Sequence, residues 1–181
     1  MYGTAPIAAY NIGINILMLS FMIGQGFSAA GATLTGQFLG ADNPREAKRS
    51  GWKSTGLSIV SMTFIGLTVA IFSEEISGFL INDPEVISLT IIFVWFLGSM
   101  QPLMAIEFAL GGALRGAGDT KSPLIITMIG LVFFRLTVAF IFLYFNLPIE
   151  YIFSSLMIDY LVKAILFSYR FNSGRWIKKL S

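Results

Sequence analysis

No Asp, Glu, Lys or Arg occurs from Met1 to Ala41, and Ser54 to Ser73 is a second stretch without a charge. Three more long apolar runs follow, interrupted by very few charges. Crossing a bilayer's hydrocarbon takes roughly 20 helical residues, and these runs meet or exceed that length. In lipid every backbone N–H and C=O must be satisfied within the chain, so runs of this kind fold as helices. The expected fold is therefore all-α, a polytopic membrane protein with the lipid bilayer as its surroundings. Composition points the same way: 12% of residues are charged and 55% hydrophobic, where a soluble domain is about a quarter charged. So few charges cannot cover a globule facing water.

Five spans are expected, at approximately 7–40, 54–73, 86–112, 123–145 and 149–169. The first is long for one crossing, and Gly24 and Gly26 are candidates to bend it. Asn43-Pro44-Arg45-Glu46 reads as a helix start, with Asn43 as N-cap and Pro44 at N1. It should open a short basic surface helix ending near Gly51. An acidic loop from Glu74 leads to a second start at Asp83-Pro84-Glu85. Pro102 should kink the third span. A tight turn at Asn146-Leu147-Pro148 joins the last two spans, and a basic tail, 170–181, closes the chain. Lys and Arg number four in 41–53, none in 74–85, two in 113–122, none in 146–150 and four in 170–181. That alternation fits five spans with the N-terminus outside and the C-terminus in the cytoplasm. No charged n-region follows Met1, so no cleavable signal peptide is expected.

The residue types that are missing exclude several functions. Without cysteine there is no disulfide or thiolate chemistry, and without histidine the usual metal ligand and neutral-pH acid–base group are gone. No nucleophile–base or metal constellation remains, so neither an enzyme nor a cofactor or metal site is expected. A net charge of +2 is too small to suggest a nucleic-acid partner.

Four charges did not go to the loops: Glu107, Arg135, Asp159 and Lys163. An ionisable residue inside a span is costly and marks a functional site by default. Glu107 lies about 12 Å along its helix from Arg115, and Arg135 about 18 Å from Pro123, too deep to snorkel. Asp159 and Lys163 are spaced i,i+4 and can pair on one face. Arg135, Asp159 and Lys163 form either a permanent clamp between the last two spans or a moving charge relay. Glu107 has no partner within its own helix; it either pairs permanently with Arg135 or takes up a proton or a cation near neutral pH. The glycines of the first span, Gly24, Gly26, Gly31, Gly36 and Gly40, read as close helix packing. The Gly111–Gly118 stretch lacks the spacing of a nucleotide-binding loop.

Three segments together resemble the multidrug and toxic compound extrusion (MATE) family. They are Thr35-Gly36-Gln37-Phe38-Leu39-Gly40-Ala41; Gly112-Ala113-Leu114-Arg115-Gly116-Ala117-Gly118-Asp119-Thr120 with Pro123; and Arg170-Phe171-Asn172-Ser173-Gly174-Arg175-Trp176. The resemblance covers nearly the whole chain. It implies a two-lobed, twelve-helix transporter of which this chain looks like the last five helices, a partial C-terminal lobe that works with missing N-terminal helices. By the same resemblance, the cation-site carboxylate of the tenth helix falls on Glu107, and a common arginine of the eleventh falls on Arg135. The family's Ile-Pro after that arginine is Leu136-Thr137 here. Leu114, Arg115, Gly116 and Asp119 look like a structural turn pinning neighbouring helices. The implied activity is efflux of small organic cations or drugs across the plasma membrane, coupled to Na⁺ or H⁺ by alternating access. The rivals are a lipid-linked oligosaccharide flippase of the same broader superfamily and a non-transporting membrane subunit.

Overall fold

The structure, a computed structural model, describes residues 4–80, 83–145 and 149–177. The chain is all-α. Helix α1 spans Thr4–Gly40, α2 Pro44–Ile71, α3 Ser73–Leu80 and α4 Pro84–Gly116. Next comes one continuous rod made of α5 (Lys121–Met128), a π-helical segment (Ile129–Leu136) and α6 (Thr137–Tyr144). Helix α7, Ile149–Asn172, closes the bundle. Four of these stretches are long and apolar enough to cross a membrane: 13–40, 44–71, 86–116 and 121–144. Helix α7, at 24 residues, has the length of a span and carries Asp159 and Lys163 at mid-length. The turn expected at Asn146-Leu147-Pro148, and Lys178 and Lys179 of the tail, lie outside the described residues.

Two local expectations are corrected. Gly51 does not end a surface helix: α2 runs from Pro44 through it, with Asn43 Oδ1 accepting from the Glu46 N–H at 3.2 Å as its cap. The missing side chain at Gly51 serves packing instead, since the Phe171 ring fills the space a Cβ would take. Part of the acidic loop after Glu74 is helical, as α3. Of the residues after Arg170 that the structure describes, Asn172, Ser173 and Arg175 are exposed. Trp176 folds back, fully buried, stacks on Phe171 at 4.8 Å and donates from Nε1 to the Phe171 carbonyl at 2.7 Å.

Helix α4 is the keel. It packs against α1, α2, α3, α5 and α7. Its contact with α1 is backbone-close: a Cβ at Gly112 would strike the Ser28 carbonyl, and one at Gly116 the Ala32 carbonyl. From the other side, a Cβ on Gly31 would lie 2.8 Å from the Ala109 carbonyl oxygen. Small residues let helices approach this closely in lipid, where dispersion rather than water expulsion drives association. Pro102 sits inside α4, which continues through it. At the basic end of the bundle Ala47, Leu110, Ala113, Leu114, Ala117, Phe167, Phe171 and Trp176 form the largest core cluster. The 121–144 rod instead exposes Leu124, Met128, Phe133, Phe140 and Tyr144, a surface suited to lipid.

Candidate cation site

Two helices bring charge together at mid-depth. From α7, Lys163 Nζ lies 3.0 Å from Asp159 Oδ2, the i,i+4 pair that the spacing allows. From α4, Glu107 Oε1 approaches the same ammonium at 3.7 Å. The Tyr160 ring stands 5.1 Å from Lys163 Nζ, a cation–π contact. Asp159 is fully buried and Lys163 nearly so. Burying charges costs several kcal/mol per ion unless every lone pair is met, and here it is not. Oε2 of Glu107 and Oδ1 of Asp159 are buried without a hydrogen-bond partner. Two carboxylates thus share one ammonium, with one oxygen of each left over.

Arg135 is not part of this cluster. It lies half-buried in the π-helical segment, and no carboxylate among the described residues is within ion-pair distance of it. The residue that meets α7 at the level of the pair is Gly130, where a Cβ would collide with Asp159 Oδ1 and Lys163 Cε. The rod and α7 are packed together, and this register puts Arg135 five positions beyond the pair. The clamp of Arg135, Asp159 and Lys163 is therefore corrected to Glu107, Asp159 and Lys163. The sequence signal for the Glu107–Lys163 contact was depth: Glu107 is eight residues from Arg115 and Lys163 seven from Arg170, but which faces of α4 and α7 meet depends on how the helices are set against each other. A π turn widens the backbone locally, and Thr137 Oγ1 donates back to the Val132 carbonyl at 3.0 Å where the segment ends.

The Leu114–Asp119 stretch takes a different form. Leu114 is fully buried in the core cluster. Arg115 Nη2 donates to Ser28 Oγ on α1 at 2.8 Å, and Gly116 lets α1 come close. Gly118 has φ +80°, a left-handed turn that favours glycine. Asp119 follows, fully buried and well supplied: it accepts from the Ser122 N–H (3.3 Å), Ser122 Oγ (2.8 Å) and Arg170 Nε (2.9 Å), and Arg170 Nη2 also donates to it. Burial works against its charged form, but the hydrogen bonds from Arg170 and Ser122 outweigh that and hold the carboxyl down at about 2. These four residues join α1, α4, α5 and α7 at the basic end.

One buried polar residue had no place in the sequence reading. Gln101 Nε2 donates to Ser20 Oγ at 3.0 Å between α4 and α1, while its Oε1 is without a partner. Together with Gly66, Val69, Val94, Leu97 and Gly98 these two residues line a small cavity. The available signal was a glutamine beside Pro102 in an otherwise apolar run. Among the described residues no group of three His, Cys, Asp or Glu could hold a metal.

Known proteins match this arrangement over most of its length. The MatE family model matches residues 1–141. The probable multidrug resistance protein NorM of Thermotoga maritima is 34% identical over 181 residues, which is 98% of this chain and 38% of that protein. The probable multidrug resistance protein NorM of Mannheimia succiniciproducens is 31% identical over 126 residues, 70% of this chain and 27% of that protein. Among solved structures, the eukaryotic MATE transporter AtDTX14 superposes with a TM-score of 0.88 at 18% identity, over 97% of this chain and 39% of that one. The chain thus spans well under half the length of these relatives.

Proposed function

This chain belongs to the MatE family, and we propose that it supplies the cation-coupled part of a multidrug exporter, with Glu107 as the carboxylate that takes the coupling ion. The observation that carries this reading is Glu107 itself: a carboxylate deep in α4, bonded to a shared ammonium through one oxygen and to nothing through the other. Relatives named as multidrug resistance proteins support efflux as the activity. The exported substrate is a small organic cation, and the coupling ion is Na⁺ or H⁺. Cation loading at Glu107 would favour one of two conformations and substrate the other, which is the requirement for exchange. Further helices, on the same or a separate polypeptide, complete the path. The membrane is the plasma membrane, with the 41–53 and 170–181 segments on the cytoplasmic side.

The flippase reading gains no support. It calls for several free cationic groups facing a cavity, whereas the Lys163 ammonium is committed to two carboxylates. The test is efflux of a fluorescent cationic dye from vesicles carrying the twelve-helix transporter. Glu107→Gln should abolish cation-dependent export without loss of protein from the membrane. Unchanged export in that variant contradicts the assignment.

A further inference from the structure

The charges of the mid-span cluster do not balance: two carboxylates face one ammonium, a net charge of about −1 when all three groups are ionised. The contacts are unequal, 3.0 Å to Asp159 within α7 and 3.7 Å across to Glu107 on α4. Access is unequal too. The Asp159 side chain is fully buried, while that of Glu107 is 18% exposed. Gly130 packs so tightly on Asp159 and Lys163 that this pair is fixed on the side of the rod. The contact free to open is the longer one, to Glu107.

Among the described residues no further basic group reaches the two carboxylates at ion-pair distance. Helix α1 contains no Asp, Glu, Lys or Arg, and α2 contains none from Ser54 to Ile71. Helix α3 brings Glu74 and Glu75, α5 brings Lys121 and the π-helical segment Arg135. Among the described residues none of these is within ion-pair distance of the cluster. Arg115, two turns further along α4, donates to the neutral Ser28 hydroxyl and attracts Glu107 only from a distance. Helix α7 adds the Tyr160 ring beside the ammonium, and its Arg170 is paired with Asp119.

We propose that Lys163 is a tether between α7 and α4 that a single arriving positive charge releases. Glu107 is the carboxylate that can be reached. When one proton or one monovalent cation neutralises it, Lys163 withdraws from the 3.7 Å contact and pairs with Asp159 alone, and the cluster becomes neutral. The basic ends of α4 and α7 stay joined through Asp119 and Arg170. Release leaves the opposite ends of the two helices held by the apolar packing of Leu156 with Phe93, Leu97 and Met100, which carries no charge to resist their moving apart. Lys163 is a positioning residue in this scheme; it does not carry the ion. The proposal rests on the reading of Glu107 as a cation site.

The chain has no cysteine, so spin labels can be placed cleanly at Trp95→Cys on α4 and Met157→Cys on α7, both exposed. The distance between them is measured on the full chain in lipid nanodiscs. At alkaline pH without Na⁺ one short population is expected, and lowering the pH or adding Na⁺ should bring in a longer one. Glu107→Gln and Lys163→Met should show the longer distance under all conditions, and Lys163→Arg should respond as the unsubstituted chain does. Glu107→Gln removes charge while keeping volume, so it decides the matter even where Lys163→Met does not fold. If the variants keep the short distance, the tether is overturned. If the variants lengthen the distance but neither protons nor Na⁺ does so in the unsubstituted chain, the tether stands and the cation-site reading falls.

Discussion

Asp119–Arg170 and Glu107–Lys163 are the same chemical pair at two levels, each joining α7 to the α4 side of the bundle. At the basic end, one carboxylate receives two donors from Arg170 and two from Ser122, and its charge is fully met. At mid-depth, two carboxylates divide one ammonium and each keeps an oxygen with no partner. The first arrangement has no use for another cation. The second is short of one. A buried ion pair is weak evidence for stability or for function until its donors and acceptors are counted. Here that count separates a pin from the site proposed to take a cation.

The largest effect is expected at the poorly supplied site. Lys163→Met leaves two buried carboxylates without their cation, and breaking such a pair costs about 3–5 kcal/mol. Chemical unfolding of the purified chain at neutral pH would read it. Adding Asp159→Asn should restore most of the loss, and a double variant as unstable as the single one would mean that charge is not the cause. Gly112→Val comes next, at about 3 kcal/mol, because the obstacle is the Ser28 backbone rather than a flexible side chain. Helix α1 should then be the first element to gain hydrogen exchange.

The well-supplied pin should show itself through pH. Asp119 is lowered from its ordinary 3.8 to about 2. A depressed carboxyl stabilises the fold above its unfolded value and loses that contribution as pH falls through the folded one. Roughly 2 kcal/mol should therefore disappear between about pH 4 and pH 2. Arg170→Met should flatten that slope while leaving the response of the mid-span cluster in place. The smallest effect is at Gly118, where alanine must adopt φ +80° and should cost about 1 kcal/mol in unfolding midpoint.

Most of the fold was legible because lipid leaves the backbone few choices. The charge-free runs became α1 and the greater part of α2, the apolar run around Arg135 became the 121–144 rod, and Asn43 with Pro44 marked a helix start. Gly24, Gly26, Gly31, Gly36 and Gly40 of α1 read as packing residues; Gly24, Gly31 and Gly36 lie against α4, whereas a Cβ on Gly26 or Gly40 would meet nothing within 4 Å. Register was only partly legible. Counted from the basic ends at 1.5 Å per residue, Lys163 lies about 10 Å from Arg170 and Glu107 about 12 Å from Arg115, whereas Arg135 lies about 18 Å from Pro123. Depth therefore favours Lys163 as the partner of Glu107, and the packing of α4 on α7, with Gly130 rather than Arg135 at the level of Asp159, realises that pairing. Gly51 misled for a related reason: the same residue that can end a helix can also admit a ring, and Phe171 lies 120 positions away in the sequence. The π-helical segment has no sequence signature that separates it from an ordinary apolar helix.

The contrast between the two carboxylates can be measured in one experiment. A lipophilic carbodiimide adds to carboxyl groups that take up a proton in an apolar setting, and a bound cation protects them. The full chain in nanodiscs would be treated with dicyclohexylcarbodiimide, with and without Na⁺ at fixed pH, and the adducts located by mass spectrometry. The account predicts modification at Glu107, reduced by the coupling cation or by raising the pH, and none at Asp119. An unmodified Glu107, or equal modification at Glu107 and Asp119, would contradict it.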